Sequence, residues 1–94
     1  MPIRLPLERW FHIEENHDEL AGRYSDVLET LEKPDLIVQG RIGELTAVRR
    51  VEQGRFLVVI YRERSAEDGF VITAYLTRRL KPLIKRGVLW QREQ

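Results

Sequence analysis

Two histidines in one short segment, His12 and His17, are residues whose type suits proton transfer. Histidine changes its charge between about pH 5 and 8, so an imidazole can take or give a proton near neutrality. Five residues on a helix turn the chain by about 140°, which points the two rings apart and disfavours a shared metal site. Both are therefore candidate general bases; in the alternative, His12 fills a polar edge of the core and His17 ends a helix.

Two hydroxyl side chains, Thr73 and Tyr75, lie two residues apart in the alternating segment 69–77. Residues at this spacing share one face of a strand, where a hydroxyl pair can hold a phosphate oxygen or orient a reacting group. Threonine and tyrosine are also ordinary strand residues, because both have high β propensity. The spacing therefore makes them candidate site residues and leaves a purely structural role open.

Arginines in the second half of the chain could supply the cations of such a site. The guanidinium is a planar fork that matches the oxygens of a phosphate, although a single exposed arginine is often only solvated. Arg62 is the candidate that would stabilise charge on a reacting phosphate, with Arg50 as its alternative. The candidate substrate-binding residues are Arg49, Arg50, Arg64 and Arg78.

Charge is unevenly distributed along the 94 residues, although the net charge is only +1. Residues 1–35 carry four basic and nine acidic side chains, a balance of -5, whereas residues 36–94 carry twelve basic and six acidic, a balance of +6. The second part could therefore present a positive surface to phosphates, or simply a charged and solvated sheet face.

Length and composition predict a single domain, residues 1–94, with one hydrophobic core. The absence of cysteine excludes a disulfide framework, a thiolate metal site and a cysteine nucleophile. The chain also lacks a phosphate-binding glycine loop, a Gly-x-Ser-x-Gly elbow and a His-Glu-x-x-His motif. Without a signal peptide or an apolar segment that could cross a bilayer, we expect a cytoplasmic protein with no cofactor, no metal and no membrane partner.

The residue pattern predicts an α+β fold in which two short N-terminal helices precede an antiparallel sheet. Pro6 suits the start of a helix over residues 7–17, and Ser25 is a favourable N-cap for a second helix that ends at Pro34. Four strands are predicted from the period-two pattern, at residues 36–38, 44–50, 55–63 and 69–77. Residues 78–86 are predicted as a loop or short helical turn, with a further strand at 88–91 as an option.

Alternation also predicts which faces of the strands are buried. Segment 55–63 is apolar on both faces, which is typical of a central strand. In segment 69–77 the core-facing residues are predicted to be Phe70, Ile72, Ala74 and Leu76. Val71, Thr73, Tyr75 and Thr77 are predicted to face the other way.

Three sequence blocks together resemble phage-associated nucleases of the barnase, EndoU, colicin and RelE-like (BECR) superfamily. The blocks are Trp10 to Ile13 with His17 to Leu20, Glu29 to Asp35, and Phe70 to Tyr75, and the likeness lies in their order over residues 5–90. The resemblance implies two helices before a four-stranded antiparallel sheet, and a metal-independent ribonuclease that is often a toxin. Two features depart from it: Asp18 stands where related sequences tend to have proline, and the net charge is small.

The resemblance also implies a site and a reaction. By position it nominates His12, His17, Thr73 and Tyr75, to which the candidate cation Arg62 is added. The implied reaction is attack of a ribose 2′-OH that leaves a 2′,3′-cyclic phosphate, on tRNA or mRNA, with a cognate antitoxin or immunity protein as a further partner. The alternatives are a catalytically silent module that binds RNA or protein, and an immunity or antitoxin-like role for the acidic N-terminal third.

Overall fold

The fold is α+β, with three α-helices and a five-stranded antiparallel sheet in the computed structural model, which describes residues 3–93. The helices are α1 (Leu7–Asn16), α2 (Tyr24–Glu32) and α3 (Lys81–Ile84), with a 3-10 helix at Asp18–Leu20. The strands are β1 (Leu36–Gln39), β2 (Leu45–Glu52), β3 (Arg55–Ser65), β4 (Asp68–Thr77) and β5 (Val88–Gln91). None of the helices in this described part is long and apolar enough to cross a membrane.

The sheet is a meander of four strands to which β5 adds a fifth, in the order β4-β3-β2-β1-β5. The four predicted strands are confirmed, with ends that differ by at most two residues. The predicted count of four is wrong, because the chain returns after α3 and pairs the segment Val88–Gln91 with β1. This optional strand has little apolar alternation of its own, and backbone pairing with β1 is what makes it a strand.

The two N-terminal helices begin where tertiary contacts hold them. Pro6 precedes α1 and accepts the backbone N–H of Trp10 at 3.0 Å, as expected from the sequence. α2 begins at Tyr24, so the predicted N-cap at Ser25 is wrong. Tyr24 packs edge-on against the buried Trp10 with ring centres 5.5 Å apart, and this contact favours a helix start two residues earlier than predicted.

Apolar clusters cover both faces of the sheet, so β3 is buried on both sides as predicted. On the helix side, Leu57 and Val59 of β3 pack under α1, the 3-10 helix and α2. On the α3 side, Val58 packs with Leu83 of α3. The α3-side cluster also includes Leu36, Val38 and Val48, with Phe56, Ile60, Tyr75 and Leu80 partly buried against it.

A β-bulge in β4 resets which of its residues face the helices. Thr73 lies opposite Ile60 and Val71 lies opposite Tyr61, which leaves Ile72 as the extra residue. Val71 is consequently buried on the helix side with Ala74, and the predicted inward positions of Phe70 and Ile72 are wrong. By the same register, Phe70, Thr73 and Tyr75 share the α3 side of the sheet.

The N-terminal segment is fixed to the outer edge of β4. Arg4 forms a parallel bridge with Phe70, in which its N–H donates to Gly69 O at 2.9 Å and its carbonyl accepts from Val71 N–H at 3.0 Å. The guanidinium of Arg4 also pairs with Asp68 at 2.9 Å. Because α1 follows directly, this bridge places the histidine-bearing segment beside β4.

Candidate functional site

Two threonines flank an isoleucine in one row across the α3 side of the sheet. Thr46 of β2 lies opposite Ile60 of β3, which in turn lies opposite Thr73 of β4. Adjacent strands are about 4.8 Å apart, so these three residues form one row across the sheet. Tyr75 stands in the next row, opposite Val58, which makes it the neighbour of Thr73 on the same face.

A pocket of about 260 Å³ opens over this row. It is bounded by the turn between β1 and β2, by the sheet, and by the end of α3. The lining residues are Gly40, Arg41, Glu44, Thr46, Ile60, Tyr75 and Arg86. Arg41 and Arg86 bring two positive charges against the single negative charge of Glu44, so the lining favours an anion.

The hydroxyl of Thr46 is the unusual feature of the pocket. Thr46 is completely buried, and its Oγ1 has no hydrogen-bond partner among the residues that the structure describes. Leaving a buried hydroxyl unpaired costs about 1–3 kcal/mol, and such groups are rare in folded proteins. A ligand oxygen in the pocket would give this hydroxyl a partner.

His17 lies beside Tyr75, with ring centres 6.5 Å apart and the ring planes inclined by 32°. The backbone holds it there, since its N–H donates to Ile13 O at 3.0 Å and its carbonyl accepts from Leu20 N–H at 2.9 Å. Ile13 and Leu20 are both buried in the helix-side core. His17 is therefore anchored on both sides of the turn between α1 and the 3-10 helix.

The imidazole of His17 is oriented by Glu19. Nδ1 lies 3.4 Å from Glu19 Oε2, and both side chains are about two-thirds buried. A carboxylate at Nδ1 favours the tautomer that carries its proton on that nitrogen. Nε2 is then left as the atom that can accept a proton.

Arg62 and Glu44 tie the β1–β2 turn to the sheet at the edge of the pocket. Arg62 Nη2 donates to Ile42 O at 3.2 Å, and Ile42 N–H donates to Glu44 Oε1 at 2.7 Å. A Cβ at Gly40 would collide with the backbone and side-chain oxygens of Glu44, so this close packing requires glycine. The turn that carries Arg41 is thus held in one conformation.

The hydrogen bonds to the Glu44 carboxylate make its contribution to the stability of the fold depend on pH. The Ile42 N–H is the main cause that lowers the pKa of Glu44, with smaller contributions from further backbone N–H groups and the charge of Arg62, against a partial opposing effect of desolvation. A lowered pKa in the folded state stabilises the fold above the unfolded pKa, and this stabilisation is lost as pH falls through the folded value.

Glu44→Gln is therefore expected to lower the melting temperature at pH 7, and its difference from the wild type is expected to shrink at about pH 3, because the stabilisation by the carboxylate is lost progressively as the pH falls below the unfolded pKa. Thermal unfolding followed by circular dichroism at the two pH values measures this difference. Glu67→Gln, in the exposed β3–β4 turn, is the matched control. A difference that is the same at both pH values would contradict the role of the Glu44 charge.

Other predicted site residues lie away from this pocket. His12 lines a separate groove with Arg64, on the outer side of β4. Arg49 faces the helix side, where its guanidinium pairs with Glu29 at 2.7 Å and donates to Lys33 O at 2.7 Å. Arg49 therefore holds α2 against the sheet, away from the Tyr75 pocket.

Arg50 and Arg78 lie toward the opposite end of the sheet. Arg50 is exposed two residues beyond Val48, and its backbone N–H donates to Asp35 Oδ2 at 2.8 Å. Arg78 is exposed just past the end of β4, beside Gly54 in the β2–β3 turn. Arg62 is thus better placed than Arg50 to act on a phosphate held near Thr73 and Tyr75.

Sequence reasoning missed several residues around the pocket: Glu19, Arg41, Glu44, Thr46 and Arg86. Thr46 had a signal, because alternation in β2 places it with Val48 on a buried face, where a lone hydroxyl is unexpected. Glu19 had no such signal, because side chains two residues apart do not face each other on a regular helix. Arg41 and Arg86 lie in turns whose folding the sequence does not specify.

No protein-family model, curated protein or solved structure matches the chain. Within residues 3–93, no group of three or more histidine, aspartate or glutamate side chains is arranged so that it could hold a metal ion. The class that the fold defines is a small α+β domain, and the functional assignment depends on the geometry of the pocket.

Proposed function

We propose that the protein is a metal-independent endoribonuclease of the BECR type that cleaves RNA through the ribose 2′-OH. The observation that carries this proposal is the approach of His17 to Tyr75, 6.5 Å between ring centres, beside a pocket lined by Arg41 and Arg86. A proton acceptor thereby lies next to a phenol, and the phenol lines one pocket together with two cations. These are the groups that transesterification of RNA requires.

In the proposed reaction, His17 Nε2 takes the proton of the 2′-OH. The freed oxygen attacks the adjacent phosphorus, the bond from phosphorus to the 5′ oxygen breaks, and the Tyr75 hydroxyl gives its proton to that leaving oxygen. The products are a 2′,3′-cyclic phosphate and a 5′-hydroxyl end. The nucleophile is part of the substrate, so the reaction uses neither a metal-bound water nor a covalent enzyme intermediate.

Charge that develops on the phosphate is the second requirement. Arg62 is the cation on the same face as Thr73 and Tyr75, and Arg41 and Arg86 line the pocket next to it. The unpaired hydroxyl of Thr46 would donate to a non-bridging oxygen. Donors that are already in place when the charge appears are worth more than mobile ones, because they need no reorganisation during the reaction.

The test compares two oligonucleotides that are identical except for a 2′-deoxy ribose at the scissile position, both in EDTA. The wild type is expected to cleave the ribonucleotide and to leave the deoxy form intact, because the deoxy form has no nucleophile. Mass spectrometry of the 5′ fragment should show a cyclic phosphate, which is lighter than a linear phosphate by one water. Equal cleavage of both oligonucleotides, or loss of all cleavage in EDTA, would contradict the mechanism.

The proposed setting is a cytoplasmic, toxin-like enzyme that acts on tRNA or mRNA and is restrained by an antitoxin or immunity protein. The rival function is a catalytically silent module that uses the same face to hold RNA. A wild type that binds cellular RNA and cleaves none of it would favour the silent module, and cleavage with a cyclic product would favour the enzyme.

A further inference from the structure

A second surface on β4 carries charge that the proposed chemistry does not use. A groove of about 630 Å³ runs between α1 and β4. Its lining residues are Arg4, Pro6, Glu8, Arg9, His12, Arg64, Phe70 and Val71. Among them, Arg9, His12 and Phe70 have no role in the proposed reaction.

The charges of this groove favour an anion. Arg4 is already paired with Asp68 at 2.9 Å. The guanidinium groups of Arg9 and Arg64, in contrast, form no ion pair or hydrogen bond with the described residues. His12 lies three residues after Arg9, which places both on one side of α1. Glu8 is the opposing charge, so the unpaired lining groups carry at least one net positive charge.

Phe70 adds a surface on which a base could stack. It is only partly buried and lines the groove. Aromatic rings between arginines are the combination by which proteins bind single-stranded nucleic acid, since the cations follow the backbone and the ring stacks on a base. This pairing distinguishes the groove from the positively charged end of β4 near Arg78.

Phe70 of the groove and Tyr75 of the pocket lie on the same side of strand β4. Phe70 pairs with Arg62, and the bulge returns Thr73 and Tyr75 to that same side. At about 3.3 Å per residue, Phe70 and Tyr75 are separated by roughly 15 Å along the strand. A few nucleotides of a single strand would span that distance.

We infer that this groove, built from Arg9, His12, Arg64 and Phe70, is a second RNA subsite that holds the backbone and one base a few nucleotides from the scissile phosphate. The inference rests on the proposed ribonuclease function and assigns its substrate class. The substrate is an extended single strand of several nucleotides, and a dinucleotide fills only the Tyr75 pocket. His12 then serves substrate binding rather than proton transfer.

The test measures binding of an uncleavable 2′-O-methyl RNA decamer by fluorescence anisotropy over a range of salt concentrations. Arg9→Gln combined with Arg64→Gln is expected to reduce the slope of log affinity against log salt by about 1.4, since each phosphate contact on a single strand contributes about 0.7. This corresponds to a loss of affinity of about ten- to thirty-fold near 0.1 M salt. Arg79→Gln, an exposed arginine just beyond β4, is the matched control with little expected change.

Phe70→Leu is expected to weaken binding about ten-fold with an unchanged salt slope, because stacking is lost while the charges remain. Equal effects of the double variant and Arg79→Gln, or no effect of either, would overturn the subsite, as would a wild type that binds no RNA. If Phe70→Leu fails to fold, the arginine variants decide the question alone. Binding is measured without cleavage, so the two proposals can fail separately. A protein that binds RNA through the groove but never cleaves it would contradict the proposed reaction and support the subsite.

Discussion

Replacing His17 with alanine is expected to lower the rate of RNA cleavage at saturating substrate by about 10²- to 10⁴-fold, the usual contribution of a general base. The physical reason is that the 2′-OH then loses the acceptor that stands beside Tyr75. The measurement is single-turnover cleavage of a labelled RNA, alongside anisotropy with the uncleavable decamer. Cleavage should fall while binding stays within a few-fold of the wild type.

The control for this variant is Glu15→Ala, an exposed residue near the end of the preceding helix α1. It tests whether truncation at this end of α1 is enough to disturb the site. Free imidazole added to His17→Ala should restore part of the rate, because it replaces the missing base and would not repair a structural defect. If His12→Ala abolishes cleavage and His17→Ala does not, the base is His12 and the assignment made from the Tyr75 contact is wrong.

The same pair of proteins gives a readout in cells. Expression of the wild type in a bacterial host is expected to arrest growth, whereas His17→Ala at equal abundance is expected to be tolerated. Growth arrest by both would indicate that binding alone is harmful, as a silent RNA-binding module would be. Immunoblotting for abundance separates loss of activity from loss of protein.

The strands could be predicted because alternation is a local property of the sequence, whereas the bulge in β4 could not. Phe70, Val71 and Ile72 are all apolar, so a period of two fits them in either phase. The phase is set instead by pairing with β3, where Tyr61 and Ile60 leave Ile72 without a partner. A pattern of hydrophobicity carries no information about that register.

The start of α2 was misplaced, and the fifth strand was predicted only as an option, for a related reason. Ser25 has the right chemistry for an N-cap, but the contact of Tyr24 with Trp10 joins residues from different helices. β5 likewise needs the neighbouring strand β1, since all four of its residues are exposed. In both cases tertiary contacts override the local propensity for secondary structure.

Part of the candidate site could be predicted from the spacing of residues in the sequence, and the rest depends on the topology of the fold. Thr73 and Tyr75 share a face because they are two residues apart in a strand, and strand phase also separates Arg49 from the face of Arg62. The approach of His17 to Tyr75 has no local signal. It depends on the bridge between Arg4 and Phe70, which joins residues 66 positions apart and fixes α1 along β4.

Thr46 connects the stability of the fold with its proposed activity. Its hydroxyl is buried without a partner, whereas the buried hydroxyl of Thr30 donates to Asp26 O at 2.8 Å. A valine at either position keeps the branched shape and removes the oxygen. The two positions therefore differ in whether the free protein loses a hydrogen bond when the hydroxyl is removed.

Thr46→Val is expected to stabilise the free protein by about 1–3 kcal/mol, the cost of an unpaired buried hydroxyl. In the RNA complex, the wild-type hydroxyl would donate to a phosphate oxygen, and such bonds to charged groups are worth about 1.5–3 kcal/mol. The variant should thus lose about ten- to 150-fold in kcat/KM while it gains stability. Urea unfolding and initial rates measure the two effects.

Thr30→Val is the control for this pair of opposite effects, because it removes a hydroxyl that has a partner far from the pocket. It should give no gain in the free energy of unfolding and leave kcat/KM within about two-fold of the wild type. A Thr46→Val protein that is less stable than the wild type would mean that the hydroxyl has a partner in the free protein. A more stable Thr46→Val protein with unchanged kcat/KM would place the reacting phosphate away from this pocket, since the buried hydroxyl of Thr46 would then have no role in the reaction.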